Sequence, residues 1–194
     1  MTDSRTAPTV PAVAAPASPR HLRRGGTSLV LDLMVDRFPV VRHWGCDLGD
    51  LDSLGDAVLS DLRAAQRMTT GANRTWTTPD LPVLPLPHLG WSARPAVVLH
   101  RCDGTAFSFH PGAVTHEAGQ ETGAGSVRTL TSTGTDAVHG VTVECEIRLE
   151  PSGLVRVRAT VRNDATGRED LAPGLFVDEV TPYLPLPDAA DEIL

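Results

Sequence analysis

The chain of 194 residues contains no lysine, because all 17 of its basic residues are arginine. Chemistry that needs a lysine amine, such as a Schiff base or a phosphate-loop lysine, is therefore excluded. Cysteine is scarce as well. Cys46, Cys102 and Cys145 are widely spaced and none falls in a C-x-x-C pair, so neither a redox dithiol nor a zinc knuckle is indicated. They read as reduced thiols of a cytoplasmic protein. The histidines show no H-E-x-x-H or similar short spacing, so no metal site is expected, and nothing calls for a cofactor. No apolar run approaches the roughly 18 residues of a membrane helix. The only basic cluster, His21 to Arg24, sits in a chain of net charge -7, which is no footprint for nucleic acid. Neither a membrane nor a nucleic acid is expected as a partner.

Familiar catalytic signatures are also missing. No G-x-S-x-G marks a nucleophile, and Gly123-Ala124-Gly125 lacks the rest of a dinucleotide fingerprint. Asp47, Asp50 and Asp52 crowd one junction, where carboxylates ordinarily serve capping and solubility. No residue of the chain is expected to be catalytic.

What is present is a pattern of strands. Residues 1–24 are rich in Pro, Ala, Thr and Ser, with Pro8, Pro11, Pro16 and Pro19 interrupting any regular element, and read as a disordered tail. Residues 25–194 then read as one domain. Ser28–Leu33 and Pro39–Trp44 suggest an opening antiparallel pair, with Arg37-Phe38-Pro39 as a connection because proline disrupts a central ladder. Leu51, Leu54, Val58, Leu62 and Ala65 recur at helical spacing and predict one short helix over Asp52–Arg67. Residues 68–79 lack periodicity and read as a loop.

The clearest signal is a hairpin. Val141, Val143, Cys145, Ile147 and Leu149 alternate with polar residues, Pro151-Ser152-Gly153 turns the chain, and alternation resumes through Val155, Val157, Ala159 and Val161. The polar face carries Glu144, Glu146 and Glu150 on one strand and Arg156, Arg158 and Arg162 on the other. It reads as a solvated sheet surface whose opposite charges help set register, with an acidic-basic binding surface as the rival reading. Leu171–Val180 offers a further strand. Seven or more short strands with at most one helix place the chain in the all-β class.

One segment carries chemical interest. Leu84-Pro85-Leu86-Pro87-His88-Leu89-Gly90-Trp91-Ser92-Ala93-Arg94-Pro95, followed by Leu99-His100-Arg101, combines an aromatic plate, a forked donor and rigid prolines, the equipment for stacking on a sugar and clasping its hydroxyls. The competing reading is structural: Trp91 fills core and Arg94 makes an internal ion pair. Trp76, in the expected loop, is a further aromatic candidate.

Three ordered stretches resemble the N-terminal domain of bacterial α-galactosidases of glycoside hydrolase family thirty-six: Arg42-His43-Trp44-Gly45-Cys46-Asp47-Leu48-Gly49, then Leu84 through His100-Arg101, then Val161-Arg162-Asn163-Asp164 through Tyr183-Leu184-Pro185-Leu186-Pro187. The resemblance runs from about Thr27 to Leu194. It implies a partial antiparallel β-supersandwich that precedes a (β/α)₈ barrel, whose two aspartates perform a retaining hydrolysis of terminal α-galactosides. The chain is expected to end before that barrel and to leave sheet edges and apolar faces uncovered. The resemblance further implies homo-oligomers and makes Arg74, Trp76, Trp91 and Arg94 the candidate sugar contacts. Where the family reads G-R-P-G-L, this chain has Ala93-Arg94-Pro95-Ala96-Val97 and loses two glycines. The alternative from another class is a free-standing carbohydrate-binding or interaction module.

Overall fold

The structure, a computed structural model, describes residues 19–51, 57–58, 60–62, 80–119 and 128–185. These form ten strands: β1 (Arg20–Arg24), β2 (Thr27–Met34), β3 (Arg37–Cys46), β4 (Val97–Arg101), β5 (Ala106–Phe107), β6 (Val114–Ala118), β7 (Arg128–Asp136), β8 (Val141–Leu149), β9 (Val155–Asn163) and β10 (Leu175–Val180). A 3-10 turn at Pro87–Leu89 is added. All pairings are antiparallel and make three sheets, ordered β1-β2-β3, β10-β4-β5 and β6-β7-β8-β9. The all-β class follows directly from the alternation in the sequence. Residues 57–58 and 60–62 are helical, whereas most of the helix expected over Asp52–Arg67 lies outside the described residues, as do the expected loop 68–79 and residues 1–18 of the expected tail.

Two boundaries differ from the sequence reading. The tail was expected to run to Arg24, yet Arg20–Arg24 is a strand paired in register with Thr27–Leu31. Only Leu22 of these five residues is buried, so an edge strand made of arginine and histidine shows no apolar alternation to read. Arg37-Phe38-Pro39 was expected to be a connection, but all three lie in β3. Pro39 is tolerated because β3 ends its ladder and the register shifts opposite it, between Asp32 and Met34, so no ladder donor is lost.

A single core unites the sheets. Leu29, Leu31 and Phe38 from the first sheet join Leu99 from the second and Leu130, Val143, Cys145 and Ile147 from the third. Phe38 reaches β7, where a Cβ built on Gly134 would lie 3.3 Å from its ring. The turns at the sheet ends also abut: a Cβ on Gly25, which has φ +56°, would stand 2.6 Å from the Pro151 carbonyl oxygen. Only glycine fits a site that is left-handed and pressed on backbone.

The proline-rich segment closes the seam between sheets. Val83 N–H donates to the Pro39 carbonyl, and the Val83 carbonyl accepts from Tyr183 N–H at 2.7 Å. Val83, Leu84 and Leu86 are fully buried between them. At the edge of the second sheet, Phe176 and Val177 of β10 remain 54% and 50% exposed, and as neighbours on a strand they point to opposite faces.

Candidate functional site

Each of the three stretches of the family resemblance is locked to a distant partner. Arg42 stands at a bulge, where Val30 and Leu31 of β2 face His43 and Val41 of β3. A bulge re-aims a side chain, and this one turns the guanidinium onto buried Asp32, donating from Nε at 3.1 Å and Nη2 at 2.9 Å to Oδ2. Its Nη1 donates to Asp80 Oδ1 at 2.7 Å. Arg42 is 4% exposed and Asp32 0%, so this is a buried ion pair with a second carboxylate at its mouth.

Arg101 is likewise buried. It donates to Asn163 Oδ1 at 2.9 Å and to the His139 carbonyl, while its guanidinium carbon lies 5.8 Å from the centre of the Phe107 ring. Asn163 in turn donates to the Pro173 carbonyl. The second and third stretches thus meet at Arg101 and Asn163, and the contact joins β4 to the end of β9.

Trp91 and Arg94 sit together in the turn that leads into β4. Gly90, with φ +84°, closes the 3-10 turn by donating to the Pro87 carbonyl. The Trp91 indole donates from Nε1 to the Arg94 carbonyl at 2.8 Å, and its ring lies 6.3 Å from that of Tyr183, tilted by 59°. Arg94 pairs with Glu179 of β10, yet remains 72% exposed. The structure therefore brings Trp91 and Arg94 into one turn, with the indole N–H and one guanidinium edge already spent. Arg74 and Trp76 lie outside the described residues. The lost glycines are absorbed without strain: Ala96 is fully buried and donates to the Pro85 carbonyl, and among the described residues every positive φ belongs to glycine.

The carboxylates are arranged for structure. Arg23 and the Gly49 N–H hold the Asp47 carboxyl down at about 2. At Asp136 burial raises the pKa, but donation from His139 N–H, His110 N–H and the His139 ring outweighs it, and the net shift is downward. Asp36, Asp103, Asp164 and Asp170 are lowered too, each chiefly by a hydrogen bond from a neighbour. Among the described residues, each carboxyl with a displaced pKa has been moved down, whereas a general acid needs one moved up. Cys145 is no nucleophile either, since burial pushes its thiol up to about 12. Among the described residues no three His, Cys, Asp or Glu gather as for a metal ion. No helix there is long and apolar enough to cross a membrane.

Asp32, Asp80, Asn163, Glu179 and Tyr183, the partners in these joints, were not singled out by the sequence reading as partners. Asp32 did leave a trace, as one acid inside the apolar run Leu29-Val30-Leu31-Asp32-Leu33.

Comparison with known proteins extends the picture. The α-galactosidase of Lactobacillus brevis superposes with a TM-score of 0.58 at 14% identity, over 88% of this chain and 24% of its own. The α-galactosidase AgaA of Geobacillus stearothermophilus, in complex with raffinose, superposes with a TM-score of 0.50 at 18% identity, over 75% of this chain and 22% of its own. At such identities the likeness is one of fold, and this chain spans about a quarter or less of the length of either enzyme. Curated protein sequences give no match. The description "Glycosyl hydrolase family 36 N-terminal domain" matches residues 37–194, most of the chain including all three motif stretches, and the chain therefore belongs to glycosyl hydrolase family 36 through its N-terminal domain.

Proposed function

We propose that this chain is the N-terminal sandwich of an α-galactosidase-like glycoside hydrolase, acting on terminal α-galactosides such as raffinose-type sugars, and that it supports substrate pocket and subunit assembly rather than chemistry. The observation that carries the reading is the family match over residues 37–194. Retaining cleavage needs two carboxyl groups about 5–5.5 Å apart, one with a raised pKa. The family resemblance assigns that pair to a separate catalytic barrel, and among the described residues every displaced carboxyl is lowered. Arg74, Trp76, Trp91 and Arg94 are the residues assigned to sugar contact, and a homo-oligomer is the assembly in which they would reach a neighbouring pocket. The free thiols of Cys46, Cys102 and Cys145 favour the cytoplasm.

The test is an assay of the purified chain on a chromogenic α-galactoside at high protein concentration, beside a full-length relative. No turnover is expected from the chain. Turnover that tracks the purified protein would overturn the reading and return attention to Asp47, Asp50 and Asp52, the last of which lies outside the described residues. Calorimetry with galactose and raffinose adds a second arm: silence supports the supporting-domain reading, and millimolar or tighter binding by the chain alone favours a free-standing sugar-binding module.

A further inference from the structure

The polar face of β8 and β9 holds more arginine than its carboxylates serve. Arg148 and Arg156 stand directly opposite each other in the ladder, and Arg158 stands opposite Glu146. Like charges placed opposite each other destabilise a sheet unless something negative joins them. The acids at hand do this poorly. Arg148 Nε lies 4.0 Å from Glu146 and 3.9 Å from Glu150, and Arg156 Nη1 reaches Glu150 only at 3.5 Å.

Two further observations mark a deficit of acceptors. The Arg148 Nε–H is buried without a hydrogen-bond partner. Arg158 makes no ion pair or side-chain hydrogen bond among the described residues. Other arginines are served differently: Arg162, farther along the same face, is bound by Asp164 at 2.6 Å, and Arg168 by Asp170. Arg148, Arg156 and Arg158 together line one hollow of about 100 Å³, with Glu146 and Val157.

We propose that this hollow is an oxyanion site for a phosphate group, free or carried on a small molecule such as a sugar phosphate, held by Arg148, Arg156 and Arg158. Guanidinium forks match tetrahedral oxyanions in pairs of parallel hydrogen bonds, and a bound anion relieves the opposed Arg148 and Arg156. Glu146 sets the selectivity. Its carboxylate on the wall repels a fully ionised group but accepts a hydrogen bond from a P–OH, so inorganic phosphate fits, a sugar phosphate fits below its second pKa of about 6, and sulfate, which has no O–H to offer, does not. The inference is independent of the reading of the chain as a galactosidase domain.

The experiment is an NMR titration of the whole 194-residue chain at constant ionic strength and about pH 5.5, where a phosphate monoester keeps its P–OH, following arginine Nε–H resonances, with inorganic phosphate, sulfate and a hexose 6-phosphate in separate arms. A saturable shift at Arg148 with phosphate, and at least tenfold weaker response to sulfate, is expected. Tighter binding of the hexose phosphate than of inorganic phosphate would identify a sugar phosphate as the source, and equal binding the free ion. Arg158→Gln should weaken phosphate binding at least tenfold with unchanged far-UV circular dichroism. Arg162→Gln, on the same face but already paired, should leave it unaltered. A linear response without saturation, equal binding of sulfate, or an equal loss in Arg162→Gln would show diffuse charge and overturn the site.

Discussion

Arg42 and Arg156 present the same guanidinium to carboxylates in the same chain, one beneath the first sheet and the other on the outer face of the third. Arg42 and Asp32 are almost wholly removed from water, and their pair is made of hydrogen bonds near 3 Å. Arg156 is 65% exposed and touches Glu150 at 3.5 Å. The difference lies in what water does for each group once its partner is gone. A buried charge that loses its partner keeps the full cost of desolvation, whereas an exposed one is simply rehydrated. Burial therefore decides whether an arginine of this fold acts as a joint between elements or stays a solvated surface group open to other partners.

The first prediction attacks the buried joint. Asp32→Ala leaves Arg42 with only the partly exposed Asp80, and should destabilise the chain by about 3–5 kcal/mol in urea unfolding. Asp32→Leu combined with Arg42→Met removes both charges and fills their space, and should recover most of that loss. A small effect of Asp32→Ala would mean that Asp80 alone satisfies Arg42, and would erase the contrast between the two regions.

The second concerns Asp136, which is buried like Asp32 but is served by two backbone N–H groups and a histidine ring. Its pKa in the folded chain lies below the usual 3.8. A group with a depressed folded pKa contributes stability that is present above the unfolded value and lost as pH falls through the folded one. Stability should thus hold from neutral pH down to about pH 4, the unperturbed carboxylate range, and decline below it, in part because Asp136 takes up its proton. Asp136→Asn should cost about 1–3 kcal/mol at pH 7, by turning an acceptor into a donor opposite N–H groups, and should flatten the acid limb of the stability curve. An unaltered acid limb in the variant would show that other carboxylates govern it.

Local alternation made one hairpin of the third sheet legible from sequence, while β6 and β7 went unread. The expected strands of the hairpin coincide with β8 and β9 nearly residue for residue, since Val141 to Leu149 and Val155 to Val161 put every second side chain inward. The joints were not legible, because each pairs residues that the sequence keeps apart. Arg42 and Asp80 are 38 positions apart and Arg101 and Asn163 are 62 apart. No periodicity encodes such a contact, and the bulge that aims Arg42 is visible only as a register shift. Trp91 and Arg94 read from sequence as a plate and a fork, and the sequence left open whether core or sugar would claim them. The structure gives Trp91 to Tyr183 and Arg94 to Glu179, leaving an exposed edge of the guanidinium for the role proposed above. Pro39 shows the opposite failure. A rule about central strands was applied to a strand at the end of its ladder.

The smallest expected effect belongs to the outer ladder. Arg156→Ala removes a guanidinium that already faces water, keeps a loose contact with Glu150 and opposes Arg148 across the strands. Losing the ion pair costs about 0–1 kcal/mol at such exposure. Losing the repulsion from Arg148 returns a comparable amount, since cross-strand pairs are worth about 0.2–1 kcal/mol of either sign. The two contributions oppose each other, and the net change in unfolding free energy should stay within about 0.5 kcal/mol, the range of ordinary surface substitutions. Salt separates them from the buried joint. Raising ionic strength to 1 M shortens the screening length to about 3 Å, which should erase what remains of the Arg156 effect and leave the Asp32→Ala loss nearly intact. Urea unfolding of both variants at low and high salt is the measurement. A loss above about 2 kcal/mol for Arg156→Ala that survives high salt would place Arg156 among the joints and remove the distinction that burial draws between these two regions.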